Sequence, residues 1–429
     1  MNTILLPEKG KWADLCERPG IGKSYLEDAI RDILYRVRTE KDEALRFYCN
    51  KFDSYIPESF KVSEKELNDA EKLVPENLRK AIIFAGKNIE KFHASQIIDE
   101  QKVETSKGVR CWRKSKPIEK VGLYIPGGSA PLFSTLLMLG IPAKMAGCET
   151  IVVCTPAGRD GLVNPLILYT AKLIGLQDIY KIGGAQAIAA MAYGTESVPG
   201  VYKIFGPGNQ YVTKAKQLVQ MEGVAIDMPA GPSEVLIVAD KSANPGFIAA
   251  DLLSQAEHGP DSQVIFVTDD KALLEKTKEE VKEQAGKLPR LNIISKSLEN
   301  SKLILLSSID DCMDFSNMYS PEHLIIATSK PEMNALRVIN AGSVFLGKYS
   351  CESLGDYASG TNHTLPTNAY ARNYSGVSTE SFSKRITFQE VTEEGIKILG
   401  PVVELMAEAE MLAGHGNAVT IRLKDIAND

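Results

Sequence analysis

A chain of 429 residues is longer than a typical domain, so more than one folding unit is expected. Hydrophobic residues at 44% and charged residues at 24% are the proportions of ordinary globular proteins and exclude a disordered chain. A net charge of -6 without clustered Lys and Arg disfavours nucleic acid, and no apolar run reaches the roughly 20 residues that span a bilayer. Seven scattered cysteines without a CxxC pair are typical of a reducing compartment, which predicts a cytoplasmic protein.

The spacing of apolar residues divides the chain into a helical beginning and an α/β remainder. Helical spacing dominates up to about Gln101, with helix starts predicted at Thr39 and at Ser63, which has Glu66 three residues later as in a capping box. From Val109 the sequence contains short β-branched runs, several of them separated by segments of helical length: VGLYIP, TIVVCTP, IYKIGG, VYKIFGPG, VLIVAD, QVIFVTDD, EHLIIATS and SVFLG. This alternation predicts an α/β fold with parallel sheets.

Two sheets are predicted rather than one, because this many strands with helical partners exceed the usual single sheet. The chain is expected to cross between the sheets in MPAGPSEV, around residues 229–233. After about Gly347, the polar stretch CESLGDYASGTNHTLPTN indicates a long loop, and long loops in compact domains usually carry function. The chain is then predicted to form a helix over 393–412 and a terminal strand in GHGNAVTIRL.

Histidine is scarce, with 5 in the chain, so the neighbours of each one are informative. His93 ends the helical stretch KNIEKFH, where a cation offsets the helix dipole, and a structural role is predicted. Asn244 followed by proline predicts the start of a helix on which Gln255 and His258 lie three residues apart, just before a Gly-Pro pair that ends it. These two side chains are either metal ligands or the solvated end of a surface helix.

A second group of ionisable residues surrounds the strand in SPEHLIIATS. Glu322 and His323 stand side by side just before the strand, where an imidazole can accept a proton and a carboxylate can activate water; a polar strand end is the alternative. Glu352, Asp356 and His363 lie among small residues in the long loop.

His415 lies between two glycines in AGHGNA, five residues after Glu410. A carboxylate, an amide oxygen and two imidazoles from Asp356, Gln255, His258 and His415 would suit Zn, or Mn or Co, if the fold brought them together.

Glycine-rich turns follow three predicted strands, in YIPGGSAP, KIGGAQAIAA and IFGPGNQYVTKAK. Such turns present backbone N–H groups to an anion, so they indicate either a phosphate-bearing cofactor or simply tight turns. None is a GxGxxG with an acidic residue about 20 positions on, so the ordinary dinucleotide fingerprint is absent. Cys111, Cys148 and Cys154 have no neighbouring histidine, which favours packing over a role as nucleophile.

The motifs GLYIPGGSAPLFST, GGAQAIAA, GPGN, MPAGPSEVL, LLSQAEHGPDSQ, SPEHL, GDYASGTNHTLPT and AGHGNAVTIR, taken in order, closely resemble the histidinol dehydrogenase family over residues 121–422. The resemblance implies oxidation of L-histidinol to L-histidine through histidinal with two NAD+, the last steps of histidine biosynthesis. It also implies a homodimer whose C-terminal segment reaches the other subunit. The expected fold is α/β, with two parallel-sheet, incomplete Rossmann-like domains, a helical N-terminal part and a small C-terminal extension.

The predicted division is an N-terminal arm (1–21), a zinc and substrate domain (22–122 and 235–377), a dinucleotide-binding domain (123–234) and a dimerisation segment (378–429). Matched motif to motif, the resemblance implies zinc ligands at Gln255, His258, Asp356 and His415, which with His323 also contact substrate. It implies that His323 is the catalytic base and that Glu322 activates water. Further substrate contacts are implied at Ser233, Glu352, His363 and Glu410, and NAD+ contacts at Tyr124, Gln186 and Asn209. A cofactor-free zinc hydrolase or deaminase is the main alternative, and a non-catalytic binding protein of the same fold is a second.

Overall fold

The computed structural model describes residues 1–19, 24–53, 55–97, 100–127 and 131–428. The strands are β1 (Asn2–Leu5), β2 (Lys102–Ser106), β3 (Val109–Pro117), β4 (Lys120–Tyr124), β5 (Thr150–Thr155), β6 (Ile179–Lys181), β7 (Lys203–Phe205), β8 (Ala225–Ile226), β9 (Glu234–Ala239), β10 (Gln263–Thr268), β11 (Lys302–Leu305), β12 (His323–Ala327), β13 (Ser343–Leu346) and β14 (Ser383–Val391). The helices are α1 (Trp12–Leu15), α2 (Ser24–Glu40), α3 (Asp42–Tyr48), α4 (Glu64–Leu73), α5 (Glu76–Ala94), α6 (Phe133–Ala146), α7 (Pro165–Leu173), α8 (Gly184–Tyr193), α9 (Gln210–Met221), α10 (Pro245–Ala256), α11 (Lys271–Ala285), α12 (Leu291–Glu299), α13 (Ile309–Tyr319), α14 (Pro331–Ala335), α15 (Glu352–Tyr357), α16 (Glu393–Ala409) and α17 (Ala413–Asn428).

Two parallel sheets confirm the predicted α/β class. The 6-stranded sheet has the order β1-β11-β10-β9-β12-β13, and the 5-stranded sheet has the order β6-β5-β4-β7-β8. Each β-branched run from the sequence forms a strand of one of these sheets, and the predicted crossing around residues 229–233 lies between β8 and β9. A third, 3-stranded sheet, β14-β3-β2, is antiparallel and was not predicted.

The chain forms two compact units. The first comprises Met1–Ala94 and Ile118–Phe382 and contains both parallel sheets. The second comprises Ser95–Pro117 and Ser383–Asp429 and contains the antiparallel sheet with α16 and α17. The finer domain boundaries expected at residues 21, 122, 234 and 377 stay predictions.

Strand β9 is buried on both faces, which explains why its residues 235–239 are all apolar instead of alternating with polar residues. Val235 and Ile237 pack in the core cluster that includes residues of α10, whereas Leu236 and Val238 pack in the cluster that includes residues of α13. Each buried aliphatic side chain contributes roughly 1.5–3 kcal/mol. Burial on both faces fixes the position of β9 in the sheet, and with it the position of the Glu234 backbone at the start of the strand.

The second unit corrects the predicted terminal strand. GHGNAVTIRL lies in helix α17, so the prediction of a terminal strand there was wrong. Val419 and Leu423 are four residues apart and both approach Gly400 of α16, where an added Cβ would lie 3.1 Å from Val419 and 2.7 Å from Leu423. Helical spacing against a glycine of the preceding helix therefore decides the conformation.

Two smaller predictions about helices were also wrong. Thr39 does not begin a helix: it lies inside α2, where its hydroxyl donates to the Tyr35 carbonyl at 2.9 Å. The stretch after Gly347 is not one continuous loop, because it contains α15. The capping box of Ser63 and Glu66 is confirmed at the start of α4. Within the described ranges, no helix is both long and apolar enough to cross a bilayer.

Candidate active site

A cavity of about 1410 Å³ lies between the two parallel sheets of the first unit. Residues that follow β4 and β7 line one side of it, and residues that precede β9 and β12 line the other. The cavity therefore joins the carboxyl end of the five-stranded sheet to the amino end of the six-stranded sheet. Its volume exceeds the roughly 300–1,000 Å³ of a site for one small molecule.

Glu322 and His323 lie at the amino end of β12, whereas ligands of open α/β sheets usually bind at carboxyl ends. The register explains how this edge gathers polar groups. His323 pairs with Val235 in the parallel ladder between β12 and β9, so Glu322 and Glu234, one residue earlier in each strand, lie next to each other at the sheet edge. Both are buried, with Glu234 1% and Glu322 7% exposed.

The hydrogen bonds of this edge fix the orientation of both predicted catalytic side chains. The Glu322 Oε2 atom accepts from the Glu234 backbone N–H at 2.8 Å and from the Gln255 amide at 3.2 Å. The His323 Nδ1 atom lies 3.2 Å from the Glu234 carbonyl oxygen and 3.5 Å from Glu322 Oε2. The Gln255 amide nitrogen also lies 3.3 Å from Nδ1, but its two hydrogens are donated to the Glu234 carbonyl and to Glu322 Oε2. The two acceptors therefore place the proton on Nδ1, which leaves Nε2 facing Asp356 Oδ1 at 3.4 Å.

Carboxylates dominate the electrostatics around His323. Burial alone lowers the pKa of the imidazole, but the neighbouring Glu322, Glu352 and Asp356 raise it well above its ordinary value. Burial raises the pKa of Glu352 well above its usual range. For Asp356, burial acts in the same direction, but the contact with His323 outweighs it and lowers the pKa of that carboxyl. Several buried carboxylates thus share one imidazole, and a bound cation would oppose the rise at His323.

Two of the four residues expected to hold a metal ion, His258 and Asp356, have donor atoms close to one another and to Glu352 in the first unit. Ligand atoms of His258, Glu352 and Asp356 all lie within 4.8 Å of one another. Gln255 Oε1, Glu352 Oε2 and Asp356 Oδ1 are buried without a hydrogen-bond partner among the described residues. Buried acceptors left without a partner are costly, and carboxylate, amide and imidazole donors suit Zn, Mn or Co. These residues therefore fit a divalent metal ion.

Two short helical segments position these donors. Helix α10 begins with the predicted cap, since Asn244 Oδ1 accepts from the Gly246 N–H at 2.8 Å, and it ends just before His258. The side chain of Gln255, on this helix, is buried, and both Gln255 and His258 line the cavity. Glu352 and Asp356 are one turn apart on α15, a spacing that places them on the same face.

His363 is tied to the same group of residues through its two ring nitrogens. Nδ1 lies 2.9 Å from the Asp356 backbone carbonyl oxygen, which can only accept a hydrogen bond, so Nδ1 carries the hydrogen and donates. Nε2 then accepts from the Thr135 hydroxyl at 3.1 Å. Burial lowers the pKa of His363, in agreement with a neutral ring. No local sequence pattern pointed to Thr135, which lies 228 residues away.

The other side of the cavity holds two of the residues expected to contact a dinucleotide. Tyr124 lines the cavity, accepts from the Gly184 N–H at 3.0 Å, and has its pKa raised by burial to about 12. Asn209 also lines it and caps α9, with Oδ1 accepting from the N–H groups of Tyr211 and Val212 at 3.0 and 3.1 Å. Gln186 is buried in α8 and is not among the described residues that line the cavity.

A buried ion pair that the sequence analysis missed fixes the turn before Asn209. Lys216 and Asp227 form this pair, with side chains 4% and 1% exposed. Lys216 donates to the Gly206 carbonyl and Asp227 accepts from the Gly206 N–H, each at 2.8 Å. Gly206 has φ of 121°, and an added Cβ would lie 2.1 Å from the Tyr124 carbonyl oxygen, so only glycine fits this cradle. The missed signal was a lysine in the apolar stripe of a helix, next to Val212, Ala215 and Val219.

The sequence comparisons agree with this geometry. The sequence profile of the histidinol dehydrogenase family matches residues 16–423. A histidinol dehydrogenase of Bacteroides thetaiotaomicron is 57% identical over 426 residues, which cover 99% of this chain and 100% of the relative. The chain belongs to the histidinol dehydrogenase family. The resemblance found from the motifs is thereby confirmed, and membership of the histidinol dehydrogenase family makes this chain a dehydrogenase.

A solved structure extends the agreement to the fold. The crystal structure of histidinol dehydrogenase from Elizabethkingia anophelis has a TM-score of 0.98 and 56% sequence identity, and covers 100% of this chain and 99% of that chain. A histidinol dehydrogenase of Bacteroides fragilis is 55% identical over 426 residues, which cover 99% of this chain and 100% of that relative.

Two residues that the resemblance to histidinol dehydrogenases assigned to the site belong to the second unit. Glu410 follows the end of α16, and His415 lies in the first turn of α17; both are exposed in that unit. Their places in the site stay predictions. Ser233, by contrast, lines the cavity of the first unit just before β9.

The remaining histidine and the cysteines behave mostly as expected for residues outside the site. His93 is buried, and its Nε2 lies 3.3 Å from Asn362 Nδ2, which also donates to a backbone carbonyl at 2.6 Å and is therefore the donor. His93 Nε2 thus accepts a hydrogen bond, so the role of His93 is structural, as predicted. At this contact, however, the ring nitrogen carries no proton, so the predicted cation at the helix end does not explain the contact. Burial raises the pKa of Cys148 to about 11 and raises that of Cys154 further, which favours packing over reactivity for these two thiols.

Proposed function

We propose that this protein oxidises L-histidinol to L-histidine through L-histidinal, with two NAD+ and one zinc ion per subunit. The observation that carries the proposal is a group of buried donor atoms without partners, on Gln255, Glu352 and Asp356, directly beside Glu322 and His323. The metal would hold and polarise the substrate, and the nicotinamide would accept the hydride. Mn or Co would suit the same donors.

The metal would be held by Gln255 through Oε1, by His258, by Asp356 through Oδ1, and by His415. Glu352 was expected to contact substrate, but its position in the same donor cluster also makes it a close neighbour of the ion. Ser233, His363 and Glu410 would complete the substrate contacts.

We further propose a homodimer in which the second unit reaches the site of the partner subunit. Large apolar side chains are exposed on α16 and beyond it, which is typical of an interaction surface. These side chains are Val402, Val403, Leu405, Met406, Met411 and Leu412. Burial in a dimer would remove this apolar surface from water and bring His415 and Glu410 to the site in trans.

In the first oxidation, His323 Nε2 would accept the proton of the alcohol hydroxyl, while the carbon that bears this hydroxyl would lose a hydride to the first NAD+. Because Nδ1 is already protonated and held by the Glu234 carbonyl, Nε2 is the nitrogen that exchanges the proton. The neutral ring is the reactive form, so the site needs positive charge to offset the carboxylates that favour the imidazolium.

In the second oxidation, Glu322 would accept a proton from the water that adds to the aldehyde. Its Oε2 atom is occupied by the Glu234 N–H and the Gln255 amide, so Oε1 is the oxygen left for water. His323, protonated in the first oxidation, would return its proton to the aldehyde oxygen as the water adds, which gives the hydrate. The hydrate would then lose a hydride to the second NAD+ and a proton to His323, which yields the acid. No cysteine nucleophile is required.

The dinucleotide would lie along the carboxyl end of the five-stranded sheet. Tyr124 keeps its phenol proton at neutral pH and can donate it in a hydrogen bond. Asn209 uses Oδ1 to cap α9, so its amide nitrogen is the group available to the cofactor. Gln186 is buried and is not among the described residues that line the cavity, so its contact with the dinucleotide would require its side chain to move. The cysteines that the structure describes form no disulfide, in agreement with the expected cytoplasmic location. This location stays a prediction, as does the absence of nucleic-acid partners.

Stoichiometry tests the proposed function. Zinc-loaded protein incubated with limiting L-histidinol and excess NAD+ is expected to form two NADH per histidinol, measured by absorbance, with L-histidine as the product by chromatography. One NADH per histidinol would show that the protein carries out only the first oxidation, as an alcohol dehydrogenase does. Turnover of an amide or amine without NAD+ would favour the zinc hydrolase or deaminase instead.

Glu322→Gln is expected to impair the second oxidation more than the first. The glutamine cannot take a proton from water, so oxidation of supplied histidinal should fall about 100-fold or more, while formation of the aldehyde from histidinol is less affected. Single-turnover NADH formation with each substrate separates the two steps. Glu332→Gln, the same change at an exposed position of α14, is the control and should leave both rates unchanged. Equal losses in both steps would refute the assigned role of Glu322.

A further inference from the structure

Arg18 and Glu234 form a buried ion pair at the wall of the cavity. Arg18 Nε donates to Glu234 Oε1 at 2.8 Å and Nη2 donates to Oε2 at 3.0 Å, and the two side chains are 12% and 2% exposed. Arg18 Nη2 also donates to the Tyr319 carbonyl at 2.7 Å, and the guanidinium lies 3.9 Å from the centre of the Tyr319 ring. The guanidinium is thus fixed by a carboxylate, a carbonyl and an aromatic face.

The partners of Arg18 are themselves held in place. The Tyr319 hydroxyl donates to Gln263 Oε1 at 2.9 Å, and the Gln263 amide donates to the Glu17 carbonyl at 3.2 Å. Glu17 precedes Arg18, so the network closes on the N-terminal segment from which it starts. A fully bonded network of this kind defines one geometry for the Glu234 carboxylate.

The backbone of Glu234 is in direct contact with the reactive groups. Its N–H donates to Glu322 Oε2, and its carbonyl oxygen lies 3.2 Å from both Gln255 Nε2 and His323 Nδ1. Two peptide groups of one residue therefore orient the water-activating carboxylate, a metal ligand and the tautomer of the base. The Glu234 side chain also accepts from the Asn368 N–H at 2.9 Å, which connects it to the segment after His363.

A planar, bidentate pair restricts rotation of the Glu234 side chain more than an apolar contact would, and buried ion pairs contribute geometry more reliably than net stability. We propose that Arg18 and Glu234 are positioning residues that hold the Glu234 peptide groups, and through them Glu322, Gln255 and His323, in the reactive arrangement. The role assigned to the three side chains rests on the proposed function. Arg18 would thus make the N-terminal segment a part of the catalytic machinery.

The test compares Arg18→Met with the wild-type protein. The apolar side chain keeps the length of arginine but removes the bidentate pair, so we expect kcat and zinc affinity each to fall about 10- to 100-fold, as for other residues behind metal ligands. The KM for NAD+ should not change, because the expected cofactor contacts belong to the other sheet. Zinc affinity is measured by competition with a chromophoric chelator, which needs no turnover. Arg18→Lys retains the charge without the planar pair and should recover part of both losses.

Leu274→Ala is the control for stability, because Leu274 is fully buried in α11 and has no polar contact with the site. At a matched decrease in unfolding temperature, this variant should keep the wild-type kcat and zinc affinity. If Arg18→Met does not fold, Arg18→Met combined with Glu234→Met removes the unpaired charge as well and should show the same two losses.

Equal losses in Arg18→Met and Leu274→Ala, or wild-type kcat and zinc affinity in a folded Arg18→Met protein, would overturn the positioning role. A wild-type protein that binds zinc but does not oxidise histidinol would overturn the proposed function alone, since the affinity comparison still decides on the pair. A wild-type protein that neither binds a divalent metal nor oxidises histidinol would overturn both.

Discussion

His323→Asn is expected to lower kcat about 100- to 10,000-fold for histidinol and for histidinal alike. Both oxidation steps remove a proton as the hydride leaves, and His323 Nε2 is the ring nitrogen left to accept it once Nδ1 is bonded to the Glu234 carbonyl. Asparagine can keep a hydrogen bond to that carbonyl but cannot accept the proton at neutral pH. Steady-state NADH formation with each substrate, at saturating NAD+, measures the effect.

His93→Asn is the matched control, because it makes the same change at another buried histidine that lies outside the cavity. We expect it to lower the unfolding temperature while kcat remains close to wild type. A loss confined to one of the two substrates in His323→Asn would show that another group serves as base in the other step. Retention of full activity would remove His323 from the mechanism and favour a binding protein of the same fold.

Removal of the metal ion is expected to lower the rate at least about 100-fold, since polarisation of the substrate by a divalent ion lowers the activation free energy by several kcal/mol. A second effect acts in the same direction, because the carboxylates around His323 raise its pKa when no cation opposes them, and a protonated ring cannot act as base. Dialysis against a chelator, metal analysis and NADH formation measure the loss, and added Zn, Mn or Co should restore the rate.

Asp356→Asn should weaken zinc binding in the same assay, whereas Asp314→Asn changes a surface carboxylate outside the cavity and should have no effect. The amide has no charge to attract the cation. Undiminished turnover in protein shown to be free of metal would contradict the proposed role of the ion.

Most of the fold could be predicted from the sequence because the parallel strands are buried on both faces. In VLIVAD, the run that forms most of β9, residues 235–239 are all apolar, with a proline shortly before them and a polar turn after them, so the strand is recognisable from its own sequence. Strand β14 was missed for the opposite reason: it is largely exposed and contains Lys, Arg, Gln and Glu, and it exists because it pairs with β3 across the antiparallel sheet. Tertiary pairing, rather than local preference, decides such strands.

The site was predictable to the extent that its residues are neighbours in sequence. Spacing singled out Gln255 with His258, and Glu322 with His323, as candidates, but left open a solvated helix end for the first pair and a polar strand end for the second. Arg18 could not be singled out, because its partner Glu234 is 216 residues away and a single arginine in a turn looks like any solvated surface residue. The approach of Glu352 to the donor atoms of His258 likewise depends on where α15 packs, which sequence spacing does not determine.

The two sheets present opposite ends to the cavity, and this has a consequence for a reaction that needs two successive oxidants. Glu322, His323 and the metal donors belong to the amino end of one sheet, while the turn at Gly206 belongs to the carboxyl end of the other. The amino aldehyde and the nicotinamide cofactor would therefore be held by different sheets. In the proposed reaction, a spent nicotinamide could then depart and a fresh one enter without release of the half-oxidised amino aldehyde, which would protect a reactive carbonyl from the solvent between the two oxidations.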